Sequence, residues 1–587
     1  MLAVVAVTSL LGFAGAQSAA GTGSAPTQFN EFTVAQFQSL FASGGLNSVT
    51  LTNYYIQRIQ SLDQEGPDVN SVIELNPDAV AEAQVADQRR AQHRTLGPLD
   101  GIPVLLKANI DTGDRMQTTA GSFALQGTPA AQDSTVAANL RAGGAVILGK
   151  TNLSEWANFR SFESTSGWSG VGGQTNNPYG IARNPCGSSS GSGAAASANF
   201  AAVSLGTETD GSVVCPANAN GVVGLKPTIG LTSRAGVVPI SHTQDTVGIH
   251  ARTVADAAAT LGVIQSAGFD GRDDATGGVP LGWQGTGRTR PKLPSDYTRF
   301  LSSSGLQGAR IGVTRLGLGG FDPLAPTPQS VLNAVDQSFA ALQQAGATVV
   351  DLDAAGFTGF GSGGGPGEFL VLCFEFRNDV QKYLATRTGV PAAGGTLKTL
   401  IDFDASHAAQ EMPFFNDDIF QFCNSLETGA DTPQPAFVGL TYNLALQQDQ
   451  AFGQQGIDAA LKQFNLDAVV SATDNPAWET DLLYADRFFF GTSSLAAAEG
   501  YPILQVPAGM VDGVPFGISF FGTAFSEPEL IKLASGYEAA TKVRAGNLPT
   551  FAANAPFTNI QGTTLLKPAG HSFPMAKQPD RKQPHHL

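Results

Sequence analysis

The sequence predicts an α/β fold in which a largely parallel or mixed sheet is covered on both faces by helices. Apolar strand patterns alternate with helix patterns from Ile102 to Leu205, and that alternation is the signature of such a sheet. Hydrophobic residues make up 42% of the 587 and charged residues only 14%, with 69 glycines, which speaks for an extensive interior and many loops rather than disorder.

Met1 to Phe13 is apolar but too short to span a bilayer, and Ala14-Gly-Ala16 precedes Gln17. This pattern predicts a secretory signal over residues 1–16, cleaved after Ala16, and hence a secreted, extracellular protein. Residues 17–28 are rich in Gly, Ser and Ala and read as a flexible leader, with order beginning near Phe29. Apolar residues at three- and four-residue spacing predict helices over Thr33–Phe41 and Thr50–Leu62, and composition a third over Ala79–Arg94, together an N-terminal helical cap. Then come strand Val104–Lys107, helix Ser134–Ala142, strand Ala145–Leu148, helix Gly193–Asn199 and strand Ala202–Leu205.

Residues 268–326, rich in Gly, Pro and polar side chains, read as a surface excursion. Later helices are expected at Ser330–Gln344, Leu370–Thr386, Ala445–Phe464 and Pro528–Val543. Strands are expected near Arg310–Val313, Thr348–Leu352 and Ala468–Ser471. Residues 546–587 read as an extended or disordered tail, and no internal repeat is found.

A formal charge of −16 argues against nucleic acid or an anionic membrane surface as a partner, since both demand clustered positive charge. No stable membrane association is expected. Cys186, Cys215, Cys373 and Cys423 show no CxxC spacing, so zinc and redox-motif readings are set aside. All four are expected as small buried thiols; the alternative is a disulfide between Cys186 and Cys215, which flank the most informative stretch of the chain.

That stretch is Cys186-Gly-Ser-Ser-Ser-Gly-Ser-Gly193 followed by Gly206-Thr-Glu-Thr-Asp-Gly-Ser212, two hydroxyl clusters in glycine-rich backbone with no histidine close by in sequence. A serine hydroxyl needs a base, and the apolar run Gly101-Ile-Pro-Val-Leu-Leu-Lys107 delivers one amine at a buried strand end. Burial disfavours the charged amine and lowers a pKa that starts near ~10.4, which is what a lysine base requires. Glycines around a nucleophile let backbone N–H groups approach a developing oxyanion.

These motifs resemble the amidase signature family of serine hydrolases. The resemblance runs from about Leu99 to Asp256, through Gly149-Lys-Thr-Asn-Leu-Ser-Glu155, Gly173-Gln-Thr-Asn-Asn-Pro-Tyr179 and Gly224-Leu-Lys-Pro-Thr-Ile-Gly230, and returns at Gly500-Tyr-Pro-Ile-Leu-Gln-Val-Pro507. It implies a Ser-Ser-Lys triad of Lys107, bridging Ser188 with a cis peptide, and nucleophile Ser212. It also implies an oxyanion hole from the N–H groups of Thr209, Asp210, Gly211 and Ser212, and an α/β/α sandwich around one large twisted mixed sheet over residues 29–545. No metal or organic cofactor is implied. Asp210 stands where much of the family has glycine, and the Thr-Glu-Thr-Asp-Gly-Ser212 form is similar to the peptide amidase branch, which removes C-terminal amides of peptides. The implied substrate is a small-molecule or peptide amide; aryl, fatty and metabolite amides are the alternatives.

Two other classes stay open at this point. A non-catalytic binding protein could keep the fold, and Gly187-Ser-Ser189-Ser-Gly191 matches the G-x-S-x-G elbow of α/β-hydrolases, which would make Ser189 the nucleophile. Arg183-Asn-Pro-Cys186 before it does not read as a strand. Ser189, Ser190 and Ser192 are expected as structural hydroxyls. Asn109 and Asp111 are expected to support Lys107 or the bridging serine, and Gln244 and Asp245 the serine loops. Asp210 is read as orienting its loop or entering the substrate site, and His242 as a satisfied imidazole, its spacing to Asp245 too short for a metal site. The sequon Asn152-Leu-Ser154 is expected to be packed and unglycosylated.

Overall fold

Among the described residues, short and mostly buried strands build one sheet of eleven strands. The computed structural model describes residues 25–318, 327–360 and 366–553, so the signal segment and most of the leader and tail lie outside the described residues. In chain order the strands are β1 (Val72–Leu75), β2 (Pro103–Lys107), β3 (Val146–Thr151), β4 (Trp168–Ser169), β5 (Gly173–Gln174), β6 (Val203–Glu208), β7 (Val223–Lys226), β8 (Thr246–Ala251), β9 (Arg310–Val313), β10 (Thr348–Asp351), β11 (Ala468–Ala472), β12 (Ile503–Val511) and β13 (Val514–Phe521). β4 and β5 form a separate two-stranded pair, and the large sheet runs β1-β3-β2-β6-β8-β7-β12-β13-β11-β9-β10. It is mixed: β3, β2 and β6 are parallel neighbours, as are β11, β9 and β10, and the other neighbours are antiparallel. Every residue of β2, β3, β6, β7 and β8 is buried, so the middle of the sheet is covered on both faces as the sequence predicts.

The N-terminal cap forms as expected. Helix Val34–Ser43 starts on a capping box between Thr33 and Gln36 and stops at Gly44, whose φ of 72° suits glycine. Phe37 and Phe41 of that helix and Leu51 and Tyr55 of helix Ser48–Arg58 are buried in the main core.

Helix Ser190–Ser197 begins three residues before the expected Gly193 and is buried throughout. Its Gly-Ser composition reads as loop because intrinsic propensity disfavours helix there, but packing overrides propensity. A Cβ at Gly191 would lie 2.3 Å from the Ser71 carbonyl oxygen and 2.5 Å from that of Asn152, so only glycine lets the helix approach β3 this closely. Its C-terminal carbonyls are collected by three arginines. Arg58 donates to Ala198 and Asn199 at 2.7 and 3.0 Å, Arg252 to Ala196 and Ala201 at 3.3 and 2.7 Å, and Arg544 to Ser197 at 2.9 Å. Cationic donors at that end satisfy orphan carbonyls and suit the helix dipole.

Helices Pro366–Leu384, Leu397–Ser406, Asp418–Ser425 and Tyr442–Gly453 contribute to a second hydrophobic core with Trp156, Phe376 and Phe420. Only the first and last of these are foreseen. The expected helix Ala445–Phe464 is found as Tyr442–Gly453, a π turn at Gln454–Asp458 and Ala459–Phe464.

Three expectations need correction. The cysteines are not thiols: Cys186 pairs with Cys215 and Cys373 with Cys423. Folding returns the two serine loops to each other, a proximity that sequence spacing cannot carry. The excursion over residues 268–326 is not wholly superficial, since Trp283, Tyr297 and Leu306 within it are buried; the strand expected at Arg310–Val313 forms as β9 between β10 and β11. The tail is not free from its start. Ile181 N–H donates to Ala552 and Phe551 N–H to Pro178, both at 2.9 Å.

Candidate active site

Lys107 ends β2, and the sheet leaves its side chain no exposure. Its Nζ donates to Ser188 Oγ at 2.8 Å, to Thr207 Oγ1 at 2.9 Å and to the Thr207 carbonyl at 3.4 Å. Burial pushes the amine down to about 7, against the opposing pull of the Asp245 and Glu208 carboxylates. An amine that is partly neutral near pH 7 can accept a proton from a hydroxyl it touches.

Ser188 follows a cis Gly187–Ser188 bond. A Cβ at Gly187 would sit 2.2 Å from Ser154 Oγ, so the chain needs glycine there. Ser154 N–H holds the Ser188 carbonyl at 3.0 Å, and Ser189 N–H donates to the Ser212 carbonyl at 3.1 Å. The neighbouring hydroxyls each donate to a backbone carbonyl. Ser189 Oγ donates to the Thr207 carbonyl at 2.9 Å, Ser190 Oγ to that of Cys186 at 2.6 Å, and Ser192 Oγ to that of Leu205 at 2.9 Å.

Ser212 stands at the end of the loop after β6, where an open α/β sheet places its chemistry. Gly211 before it takes φ +81°, a left-handed conformation costly for other residues. Glu208 Oε2 accepts the N–H groups of Val213 and Val214 at 2.7 and 3.0 Å, fixing the turn behind the serine. Among the described residues, the N–H groups of Thr209, Asp210, Gly211 and Ser212 have no acceptor, so they are available to a negative oxygen. Thr209 Oγ1 donates to Asp245 Oδ1 at 2.6 Å, while Asp245 Oδ2 accepts Ile240 and Ser241 N–H at 2.8 and 2.9 Å. Burial raises the Asp245 carboxyl to about 6.

A cavity of about 530 Å³ opens over Ser212. Phe159, Phe162, Leu372 and Ile419 line it together with Trp478 and Phe488, and Thr209, Asp210 and Gly211 line it beside the serine. Asp210 accepts Ser493 Oγ and Ser494 Oγ, each at 2.5 Å, so it enters the cavity wall and does not cap its own loop. The Cys186–Cys215 disulfide lines the same space.

Asn109 reaches Lys107 only through Thr207, its Nδ2 donating to Thr207 Oγ1 at 2.9 Å. Asp111 is not beside the amine: it accepts Tyr383 OH at 2.9 Å and Arg387 at 3.2 Å, because the chain after Asn109 turns toward helix Pro366–Leu384. Gln244 likewise turns away and donates to Glu368 at 2.9 Å. His242 contacts Asp379 at 2.6 Å rather than Asp245. Asn152 is buried in the β3 turn, as the reading of its sequon requires. Thr207 and Glu208 lie inside the quoted motif but show their roles only through hydrogen bonds; Ser493 and Ser494 carry no sequence signal.

Known proteins resemble this chain along most of its length. A sequence model of the amidase family matches residues 50–413. A probable amidase of Arabidopsis thaliana is 38% identical over 88% of this chain and 91% of its own length. The crystal structure of native peptide amidase from Stenotrophomonas maltophilia is 43% identical, with a TM-score of 0.78 over 90% of this chain and all of that one. A peptide amidase bound to the competitive inhibitor chymostatin is also 43% identical, with a TM-score of 0.79 over 89% of this chain and 99% of its own. The chain belongs to the amidase signature family and is a hydrolase of carbon–nitrogen bonds in amides.

Proposed function

We propose that the protein is a secreted amidase that removes the C-terminal amide of peptides through a Ser-Ser-Lys triad of Ser212, Ser188 and Lys107. The observation that carries the triad is the 2.8 Å contact between a wholly buried lysine amine and Ser188, on a loop bonded to that of Ser212. Neutral Lys107 takes the proton of Ser188, Ser188 that of Ser212, and Ser212 Oγ attacks the carbonyl carbon. The N–H groups from Thr209 to Ser212 hold the oxyanion, each donor contributing roughly 3 kcal/mol in acyl-transfer enzymes. The relay hands its proton to the amide nitrogen, the C–N bond breaks and ammonia leaves. Water then attacks the acyl ester, releasing the acid and restoring Ser212.

The likeness to peptide amidases at 43% identity supports the choice of substrate, and the apolar cavity walls suit side chains of a peptide. Two disulfides support an oxidising compartment. Among the described residues no helix is long and apolar enough to cross a membrane. The test is the relative kcat/KM for hydrolysis of a peptide amide and a long-chain fatty amide, each read as ammonia, and of an N-acyl anilide, read as aniline. The peptide amide should have the highest kcat/KM, and Ser212→Ala should abolish turnover with the fold intact. Full activity in Ser212→Ala removes the triad, and a fatty amide tenfold faster, about 1.4 kcal/mol in transition-state binding, removes the substrate.

A further inference from the structure

The hydrogen-bond inventory around Lys107 fixes more than the position of its nitrogen. A neutral amine has two N–H bonds and one lone pair, whereas a hydroxyl oxygen has two lone pairs and one proton. Apart from Ser188, Nζ hydrogen-bonds only Thr207 among the described residues, at the hydroxyl (2.9 Å) and at the carbonyl (3.4 Å). Thr207 is itself immobile: its N–H donates to Ser189 Oγ at 3.1 Å and its carbonyl accepts that hydroxyl at 2.9 Å. Its Oγ1 accepts a second donor, Asn109 Nδ2, at 2.9 Å. Both lone pairs of Thr207 Oγ1 are then occupied by N–H groups, so its own proton points away from Lys107. Without the Asn109 donor the hydroxyl could rotate and donate to the amine, capturing the lone pair that Ser188 needs.

We infer that Thr207 is a positioning residue: it takes both N–H bonds of neutral Lys107 and leaves the lone pair facing Ser188, while Asn109 locks the Thr207 hydroxyl so that it cannot take that lone pair itself. This rests on the triad reading and adds to it a fixed proton order. The charged and titratable groups around the amine act differently. Glu208, next along β6, and Asp245, before β8, favour its protonated form, and His250 on β8 is held neutral, pushed down to about 3 by burial. Among the described residues none of the three hydrogen-bonds Nζ, so they tune the lysine's proton affinity and leave its direction to Thr207.

The test is the pH dependence of kcat and KM for ammonia release from a C-terminal peptide amide by Thr207→Val, Thr207→Ser and Asn109→Leu. Thr207→Val keeps the shape and removes the acceptor; kcat should fall at least ~10-fold with KM within about twofold, the mark of an interaction that acts on chemistry. Its acid limb should also move to lower pH, because the protonated lysine has lost an acceptor. Thr207→Ser should recover kcat to within about threefold of wild type, and Asn109→Leu should lower kcat with KM unchanged. If Thr207→Val does not fold, Asn109→Leu is judged on the same scale. Wild-type kcat and an unmoved acid limb in whichever of these variants folds overturn the inference. Lys107→Ala separates the two levels: if it stays active the triad reading falls, whereas an inactive Lys107→Ala beside an unaffected Thr207→Val overturns only the role of Thr207.

Discussion

Ser189 donates its backbone N–H to the carbonyl of Ser212 at 3.1 Å, so each serine-bearing loop is the other's support. The Cys186–Cys215 bond joins the same two loops three residues from either serine or closer. Two unlike links across one gap make the relative position of Ser188 and Ser212 a property of the pair of loops.

The disulfide should therefore matter to both stability and rate. Closing a loop with a sequence separation of 29 residues constrains the unfolded chain by roughly 3–4 kcal/mol on the chain-entropy account. The double variant Cys186→Ser/Cys215→Ser should melt at lower temperature and lose kcat, with Cys373–Cys423 still formed. Thermal unfolding and turnover of that variant check this, and unchanged values of both would show that the backbone bond suffices.

Lys107 should cost stability where it is charged. Its folded value of about 7 lies below roughly 10.4 for a free lysine, so between these limits the unfolded chain binds more protons. The destabilisation is thus full below about pH 7 and is lifted as pH rises toward ~10.4. Lys107→Met should be inactive, and its melting temperature relative to wild type should be highest near pH 6 and decline toward pH 9.5. A difference that grows with pH would contradict the burial of a lowered lysine.

Asp245 pulls Lys107 in the opposite direction to burial. Asp245→Asn removes that charge while keeping an acceptor for Thr209, so the acid limb of kcat/KM should shift to lower pH, by less than about one unit. A shift to higher pH in the measured profile would mean that another group controls the limb.

Gly191 has two carbonyl oxygens within 2.5 Å of where a Cβ would lie. Gly191→Ala must push the helix from β3 and should destabilise by about 1–3 kcal/mol or more, with kcat lowered because Ser188 sits just before that helix. Chemical denaturation measures the first effect and turnover the second; a neutral outcome in both would mean the helix can shift freely.

The central sheet was legible where a buried strand carries an apolar run, as in Pro103–Lys107 and the start of Val203–Glu208, and not where Gly and polar residues break the run, as in Val223–Lys226 and Thr246–Ala251. The β12–β13 hairpin is marked by its turn and not by its periodicity: Asp512-Gly513, both with positive φ, is a strong short-range hairpin signal that the strand patterns alone pass over. Helix Ser190–Ser197 was legible only in part, since its small residues answer to neighbouring carbonyls and not to local propensity. Within the candidate site, Lys107, Ser188 and Ser212 stand out in the sequence by type and context, and the structure brings Lys107 to Ser188. Thr207 did not, because its role lies in which lone pair faces which proton, and Asp111 misled because the chain turns in the four residues after β2 and carries its carboxylate to Tyr383 and Arg387.

The three arginines at the end of helix Ser190–Ser197 come from residues 58, 252 and 544, the last of them also paired with Glu31 at 2.8 Å. During synthesis these anchors leave the ribosome at widely separated times. Until Arg544 has emerged, the helix behind Ser188 lacks one donor to its last carbonyls, and Glu31 lacks its ion pair while its bonds to Asn199 remain possible. A C-terminally clipped chain thus keeps Ser188 and Ser212 but loses one of the three arginines that hold the end of the helix after Ser188.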